Sequence, residues 1–237
     1  MSQYDDNHRD KIYIRENSYI YRVGHRIMEG DCQYDHGPRF VKLKAFYIDK
    51  YPVTNIKFKT FLDESKYWPE DDRNFLKHWE NGNYPDEMEK HPVVWVSLND
   101  ARAYAKWYGE RIPGDSEWQY AACGPQKLKW PWGYTFDESF CNSKGSTTTQ
   151  VDQYPGGASP FGCLDMVGNT WEWIDDIQDD GHHIFTFLRG GTYYKAPHFW
   201  HADGGPQACD YHLKFQLLNE GLNRCETVGF RCVKDGI

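Results

Sequence analysis

Between Gly124 and about Thr170 the sequence shows neither the alternation of a strand nor the recurrence of a helix, yet it carries Trp130, Trp132, Tyr134, Phe136, Tyr154 and Phe161. A loop of that length has no place in a compact domain unless something other than a backbone ladder holds it. Bound metal and buried aromatic rings are the two devices available. The composition agrees, because 10 Trp, 17 Tyr and 13 Phe make up 17% of the chain and stand beside 21 Gly and 12 Pro. Flat side chains must then fill a core whose backbone is largely turns.

Regular structure is expected on either side of this stretch. Val41, Leu43 and Ala45 alternate with Lys42 and Lys44, which predicts a half-buried strand running to Ile48 and ended by Asp49. Pro52 and Thr54 open a helix that places Phe58, Phe61 and Leu62 on one face. Ser97 and Asp100 form the two ends of a capping box for a second helix, with Leu98, Ala101, Ala105 and Tyr108 on its inner face and Gly109 as its stop. A third helix is expected from about Asp115 to Cys123, ended by Gly124, with Trp118, Ala121 and Ala122 inward. Short strands are expected at Phe185 to Arg189 and at Thr227 to Val233.

Nothing resembling a linker divides the 237 residues, so the reading is one α+β domain, residues 40–237, with an N-terminal segment, 1–39, packed on it. The net charge of −8 is spread along the chain without a Lys/Arg cluster, which argues against a nucleic-acid partner. No stretch approaches the roughly 18 apolar residues of a membrane span, and the opening MSQYDDNHRD lacks a signal-peptide core, so a cytoplasmic location is expected. The 7 cysteines show no CxxC pair or zinc spacing and are read as reduced and mostly buried.

Six phrases occur in order: FYIDKYPVTNIKFKTFL (46–62), HPVVWVSLNDARAYAKWYGERIPGDSEWQYAACG (91–124), PWG (131–133), FGCLDMVGNTWEWIDD (161–176), LRGGTYY (188–194) and GFRC (229–232). Together they resemble the formylglycine-generating enzyme or sulfatase-modifying factor family. That resemblance implies an irregular, loop-rich, C-type-lectin-like fold with few short helices and short antiparallel strands, and leaves function open. The family also contains members without catalytic activity and hypervariable ligand-binding proteins diversified by retroelements. Trp171, Trp173, Trp118 and Trp132, within these phrases, are expected to pack in the core, and Gly190 and Gly191 to turn the backbone after Arg189.

The resemblance also implies two structural Ca2+ sites. One falls on Asp165, the carbonyls of Gly168 and Thr170, and Glu172; the other on Asn142, the Ser143 carbonyl, Asp152 and the Tyr154 carbonyl. Calcium takes six to eight oxygen ligands, which a Gly-containing turn between Asp165 and Glu172 can help supply.

The chain departs from the family at its chemistry. Oxidising members carry a Cys three residues after the first residue of the Ser-Tyr/Trp-x-Cys phrase that follows RGG, and a second Cys five positions on; this pair binds Cu(I), for which soft thiolates are suited. Here Lys195 and Trp200 stand at the two positions, and Cys209 is the next thiol along. The expectation is therefore a binding module or pseudoenzyme. Its pocket candidates are Tyr194, Lys195, His198, Trp200 and His201, a loop continuing the aromatics of Tyr193 and Phe199 and suited to a small-molecule, glycan or peptide ligand.

The alternatives are a true formylglycine-generating oxidase with an unaligned thiol, or a divergent non-haem metal- and O2-dependent oxidoreductase using the histidine-rich region from His182 to His212. His182, His183, His198, His201 and His212, with Asp203 and Asp210, make a ligand set for Fe, Zn or Cu. In the ergothioneine-forming relatives the iron ligands come from a separate helical domain, so that route would require a partner protein.

Overall fold

A computed structural model describes residues 10–23, 37–194 and 204–236. Among the described residues, nine short strands are arranged as two small antiparallel sheets and one four-stranded sheet. β1 (Lys11–Ile14) pairs with β4 (Phe46–Asp49), which pairs with β9 (Val233–Asp235), while β2 (Asn17–Tyr21) pairs with β3 (Arg39–Leu43). The main sheet runs β7 (Leu213–Leu217), β6 (Ile184–Arg189), β5 (Trp171–Asp179), β8 (Val228–Gly229), with only the last pairing parallel. The architecture is α+β and loop-rich, as expected. No helix among the described residues is long and apolar enough to cross a membrane.

The three principal helices begin and end where their caps predict. α1 (Asn55–Ser65) follows Thr54 and buries Phe58 and Phe61. α2 (Leu98–Trp107) starts at a reciprocal box, the Ser97 hydroxyl accepting from Asp100 N–H at 3.1 Å and the Asp100 carboxylate accepting from Ser97 N–H at 2.7 Å. α3 (Asp115–Cys123) stops at Gly124, whose φ of 63° suits glycine. A fourth helix, α4 (Glu220–Asn223), is a single turn.

Several expectations need correction. The strand expected to run from Val41 to Ile48 is broken at Lys44 and Ala45, because its halves serve different sheets, β3 against β2 and β4 against β1. The strand expected over Thr227 to Val233 is two pieces, β8 and β9, for the same reason. β5 was hidden inside the WEW phrase. Its Trp171 and Trp173 enter the core beneath α1 and α2, while Ile174 enters the second core beneath α3. Trp132 is only half-buried and belongs to a surface aromatic group rather than to either core.

The segment from Gly124 to Thr170 contains no strand, only 3-10 turns at Glu138–Phe140 and Pro155–Gly157. Rings hold part of it: Trp130 stacks on Trp132 with centroids 6.0 Å apart and leans on Phe136 at 4.8 Å, and Phe161 meets Tyr120 at 5.3 Å. Isolated backbone bonds hold the rest, among them Val151 N–H to the Lys90 carbonyl (3.1 Å) and Leu164 N–H to the Lys50 carbonyl (2.8 Å).

Three buried arginines tie distant segments together. Arg231 meets Glu172, Arg189 meets Asp115, and Arg224 meets Asp100, with side chains at most 1% exposed in every pair. Asp115 also accepts from the Tyr21 hydroxyl and lies 3.1 Å from His212 Nδ1. Burial alone would raise its pKa, but the Arg189 charge and His212 hold it far below the ordinary carboxylate range.

Candidate ligand and cation site

After β6, Gly190 and Gly191 adopt φ of 89° and 78°, and an added Cβ at Gly191 would lie 2.2 Å from the Gly205 carbonyl oxygen. This close approach brings Tyr193 and Tyr194 to one side of an open cavity of about 650 Å3. Trp130 and Phe136 of the irregular segment face it from another side, Ser143, Lys144 and Gly145 form a polar wall, and the Gly204–Pro206 turn completes the rim. Lys144 and Glu138 pair across the edge. Tyr194 is half exposed there. Of the other pocket candidates, Lys195, His198, Trp200 and His201 lie outside the described residues. Tyr194 and Gly204, which flank them in sequence, both line this cavity.

Asp165 lies in the interior, in the left-handed region at φ 53°. Its one hydrogen bond given by a side chain comes from Asn169 Nδ2 at 2.9 Å. Burial pushes its pKa up to about 7; the negative charges of Glu172 and Asp152 add to the rise, while Asn169 and Arg231 oppose it. Burial, rather than neighbouring negative charge, is thus the main cause of the rise. Thr170 Oγ1, also buried, has no hydrogen-bond partner.

The remaining expected calcium ligands are placed differently. Arg231 Nε donates to both Glu172 oxygens (3.0 and 2.7 Å), Arg231 Nη2 donates to Oε1 (2.7 Å) and Trp118 Nε1 to Oε2 (2.7 Å). Those four contacts occupy the lone-pair directions of the carboxylate. Gly168 bonds through its N–H to the Gly190 carbonyl at 3.0 Å. Asn142 is buried, with Nδ2 donating to the Thr147 carbonyl (2.9 Å) and Oδ1 accepting from Gly145 N–H (3.2 Å). Ser143 lines the aromatic cavity. Asp152 is near the surface, 3.6 Å from Lys90 Nζ, and the Tyr154 carbonyl accepts from Gly157 N–H at 3.0 Å. Glu172 is thus already neutralised by Arg231, while Asp165 is met by the Asn169 amide.

A profile of the sulfatase-modifying factor enzyme 1-like domain matches residues 11–236. The chain belongs to that family. Among relatives, this sulfatase-modifying-factor domain is 36% identical over 226 residues to the serine/threonine-protein kinase pkn1 of Chlamydia caviae, a match covering 84% of the chain and 34% of the kinase. It thus spans about a third of that relative's length. It is 29% identical over 245 residues to inactive C-alpha-formylglycine-generating enzyme 2 of Bos taurus, covering 83% of the chain and 79% of the relative. The fold is shared with PvdO from Pseudomonas aeruginosa at a TM-score of 0.69 and 20% identity, over 95% of this chain and 94% of the other.

Within the family frame, none of the described residues lining the cavity is a cysteine. Cys209 is 1% exposed and lines a separate cavity of about 250 Å3 with Cys123. Burial pushes its thiol well above the ordinary range. The described histidines of the expected metal cluster do not converge. His182 and His183 are exposed at the β5–β6 turn, and His212 stacks on Phe187 at 4.1 Å while facing Asp115. Sequence reasoning missed Arg231 as the partner of Glu172 and Asn169 as the residue joining Asp165 to its surroundings; both stand inside quoted phrases, GFRC and VGN.

Proposed function

We propose that this sulfatase-modifying-factor domain is a recognition module, a pseudoenzyme for copper-thiolate oxidation that captures a glycan or peptide in its aromatic cavity. The observation that carries the reading is the cavity wall itself: Trp130, Phe136, Tyr193 and Tyr194 with no thiol among the described lining residues, beside a loop in which Lys195 and Trp200 replace the family's cysteines. Large rings with polar neighbours concentrate binding energy in a few contacts. A related segment in a protein named as a kinase, and a relative named as inactive, support a module that recognises rather than oxidises.

The same reading includes a structural Ca2+ at Asp165, with Glu172 acting as the counter-charge of Arg231 rather than as a ligand. The metal would balance the buried negative charge at Asp165 that Asn169 alone meets by hydrogen bonding. A transition-metal centre would have to rest on His198 and His201, since the other histidines of that set are placed elsewhere.

Screening the purified chain on glycan and peptide arrays tests the reading, with Trp130→Ala and Tyr194→Ala as controls. Capture that both variants weaken is the expected result. Formylglycine appearing with turnover in a Cys-x-Pro-x-Arg peptide supplied with copper and O2 would overturn it.

A further inference from the structure

Cys123 and Cys209 share the wall of the second cavity, and several bonds hold them to common surroundings. Cys123 ends α3, and Gln119 stands one turn earlier on the same face of that helix. Gln119 Nε2 donates to the Cys209 carbonyl at 3.4 Å and to the Arg22 carbonyl at 2.7 Å, so the face of α3 that carries Cys123 is turned to Cys209. The backbone repeats the link. Leu128 N–H donates to the Cys123 carbonyl (3.0 Å) and Cys209 N–H to the Lys129 carbonyl (2.8 Å), which ties both cysteines to one pair of adjacent residues. Arg189 Nη1, on a side chain held by Asp115, donates to the Cys209 carbonyl at 2.9 Å and steadies that end.

The same cavity is positively charged. Arg22, Lys127 and Lys129, all exposed, line it against a single acid, Asp210, in a chain whose net charge is −8. None of the three cations forms an ion pair with another described residue. Unpaired cations over a dithiol attract an anionic reagent and favour the thiolate that exchange requires.

We propose that Cys123 and Cys209 are a redox-active dithiol that closes to a disulfide by exchange with a small anionic disulfide of the glutathione disulfide class. The Cys123 thiolate attacks one sulfur of the incoming disulfide, and a mixed disulfide forms as the first anionic thiol leaves with the proton Cys123 lost. Cys209 then gives up its proton and attacks the Cys123 sulfur, and the second thiol leaves with that proton as the Cys123–Cys209 bond forms. One disulfide is reduced and one dithiol oxidised, so no further reagent is needed. Cys123 enters first because it is the less buried of the two, 5% against 1% exposed. Burial pushes its thiol up to about 11, against the pull of the Arg189 and Arg22 charges, so exchange should speed about tenfold per pH unit between about 7 and 9.

The test incubates the reduced full chain with glutathione disulfide or with the cationic disulfide cystamine, quenches in acid, alkylates, and maps cysteines by mass spectrometry. A Cys123–Cys209 bond, preceded by an adduct on Cys123, is expected to form several-fold faster with glutathione disulfide at low salt, with the two rates converging in about 0.5 M NaCl. Arg22→Ala combined with Lys127→Ala is expected to bring the low-salt rates together. Cys209→Ser is expected to stop at the Cys123 adduct and Cys32→Ser to leave the bond unaffected; the wild-type map decides the matter if Cys209→Ser does not fold. A disulfide joining either residue to Cys32 instead, or thiols that react only once the chain is unfolded in urea, would overturn the proposal. Equal rates for the two reagents at low salt would overturn the assignment of an anionic partner.

Discussion

Glu172→Gln keeps the shape of the side chain and removes its charge, so it separates two jobs that this residue could do. As drawn by the structure, Glu172 neutralises Arg231, whose guanidinium also donates to the carbonyls of Asp49 (3.0 Å) and Leu164 (2.8 Å). Removing one partner of a buried pair leaves the other charge uncompensated, at a cost of about 3–5 kcal/mol. Gln retains one acceptor oxygen, which places the expected loss near the lower end, about 3 kcal/mol. In a chain of this size that corresponds to a fall in melting temperature of about 6–12 °C, at roughly 2–4 °C per kcal/mol. Urea denaturation followed by tryptophan fluorescence, run once in excess calcium and once in EGTA, measures it. If Glu172 serves Arg231, the loss is the same in both buffers. A loss confined to the calcium buffer, or one below about 1 kcal/mol in EGTA, would show that the carboxylate's partner is the cation and would refute the assignment.

The remaining expectations concern calcium, pH, a cap and the cavity. Chelation is expected to lower the melting temperature by about 5–10 °C when calcium had been near 100 times its Kd, since that occupancy stabilises by about 2.7 kcal/mol; an unchanged scan after exhaustive EGTA treatment removes the calcium claim. Without calcium, Asp165 titrates near 7 against an ordinary 3.8, so the folded chain holds its proton more tightly than the unfolded chain. Stability should then fall as pH rises from about 4 to about 7, and Asp165→Asn should flatten that slope in urea titrations. Ser97→Ala, which deletes the hydroxyl capping α2, is expected to cost about 1 kcal/mol by the same denaturation assay. Tyr194→Ala is expected to weaken capture of an array-identified ligand by about 1–2 kcal/mol, read by calorimetry.

How much of this was legible in the sequence depends on the range of the force involved. Caps act within a few residues, so Ser97 with Asp100 and Gly124 with φ 63° marked the ends of α2 and α3 correctly. Strand partners are chosen across the fold. Lys44 and Ala45 alternate as a strand should, yet the chain breaks there because β3 and β4 pair with the N-terminal strands β2 and β1, whose residues carry no short-range mark of that pairing. β5 was obscured because WEW buries residues on both faces, so its alternation is lost. At the site, the acidity of Asp165 and Glu172 was plain, but charge type alone cannot say which carboxylate an arginine 59 positions away will claim.

The same arginines explain why the family is so readable in this chain. Arg231 of GFRC meets Glu172 of WEW, and Arg189 of LRGG meets Asp115, three residues before the Trp of SEW. The phrases that carry the resemblance are thus partners in buried ion pairs, where single replacements are costly. Tyr194 and Trp130, by contrast, stand at the open cavity, where a change of side chain alters what is touched and leaves the interior pairs alone. A scaffold divided in this way can exchange a copper-thiolate site for an aromatic one without rebuilding its core. The division has a measurable consequence: Tyr194→Ala should leave the urea midpoint nearly unchanged, within about 0.5 kcal/mol as surface replacements usually are, while Arg189→Met should lower it severely. Large destabilisation by Tyr194→Ala would mean that this ring supports the fold as Trp130 does, and the cavity could not then vary independently of the fold.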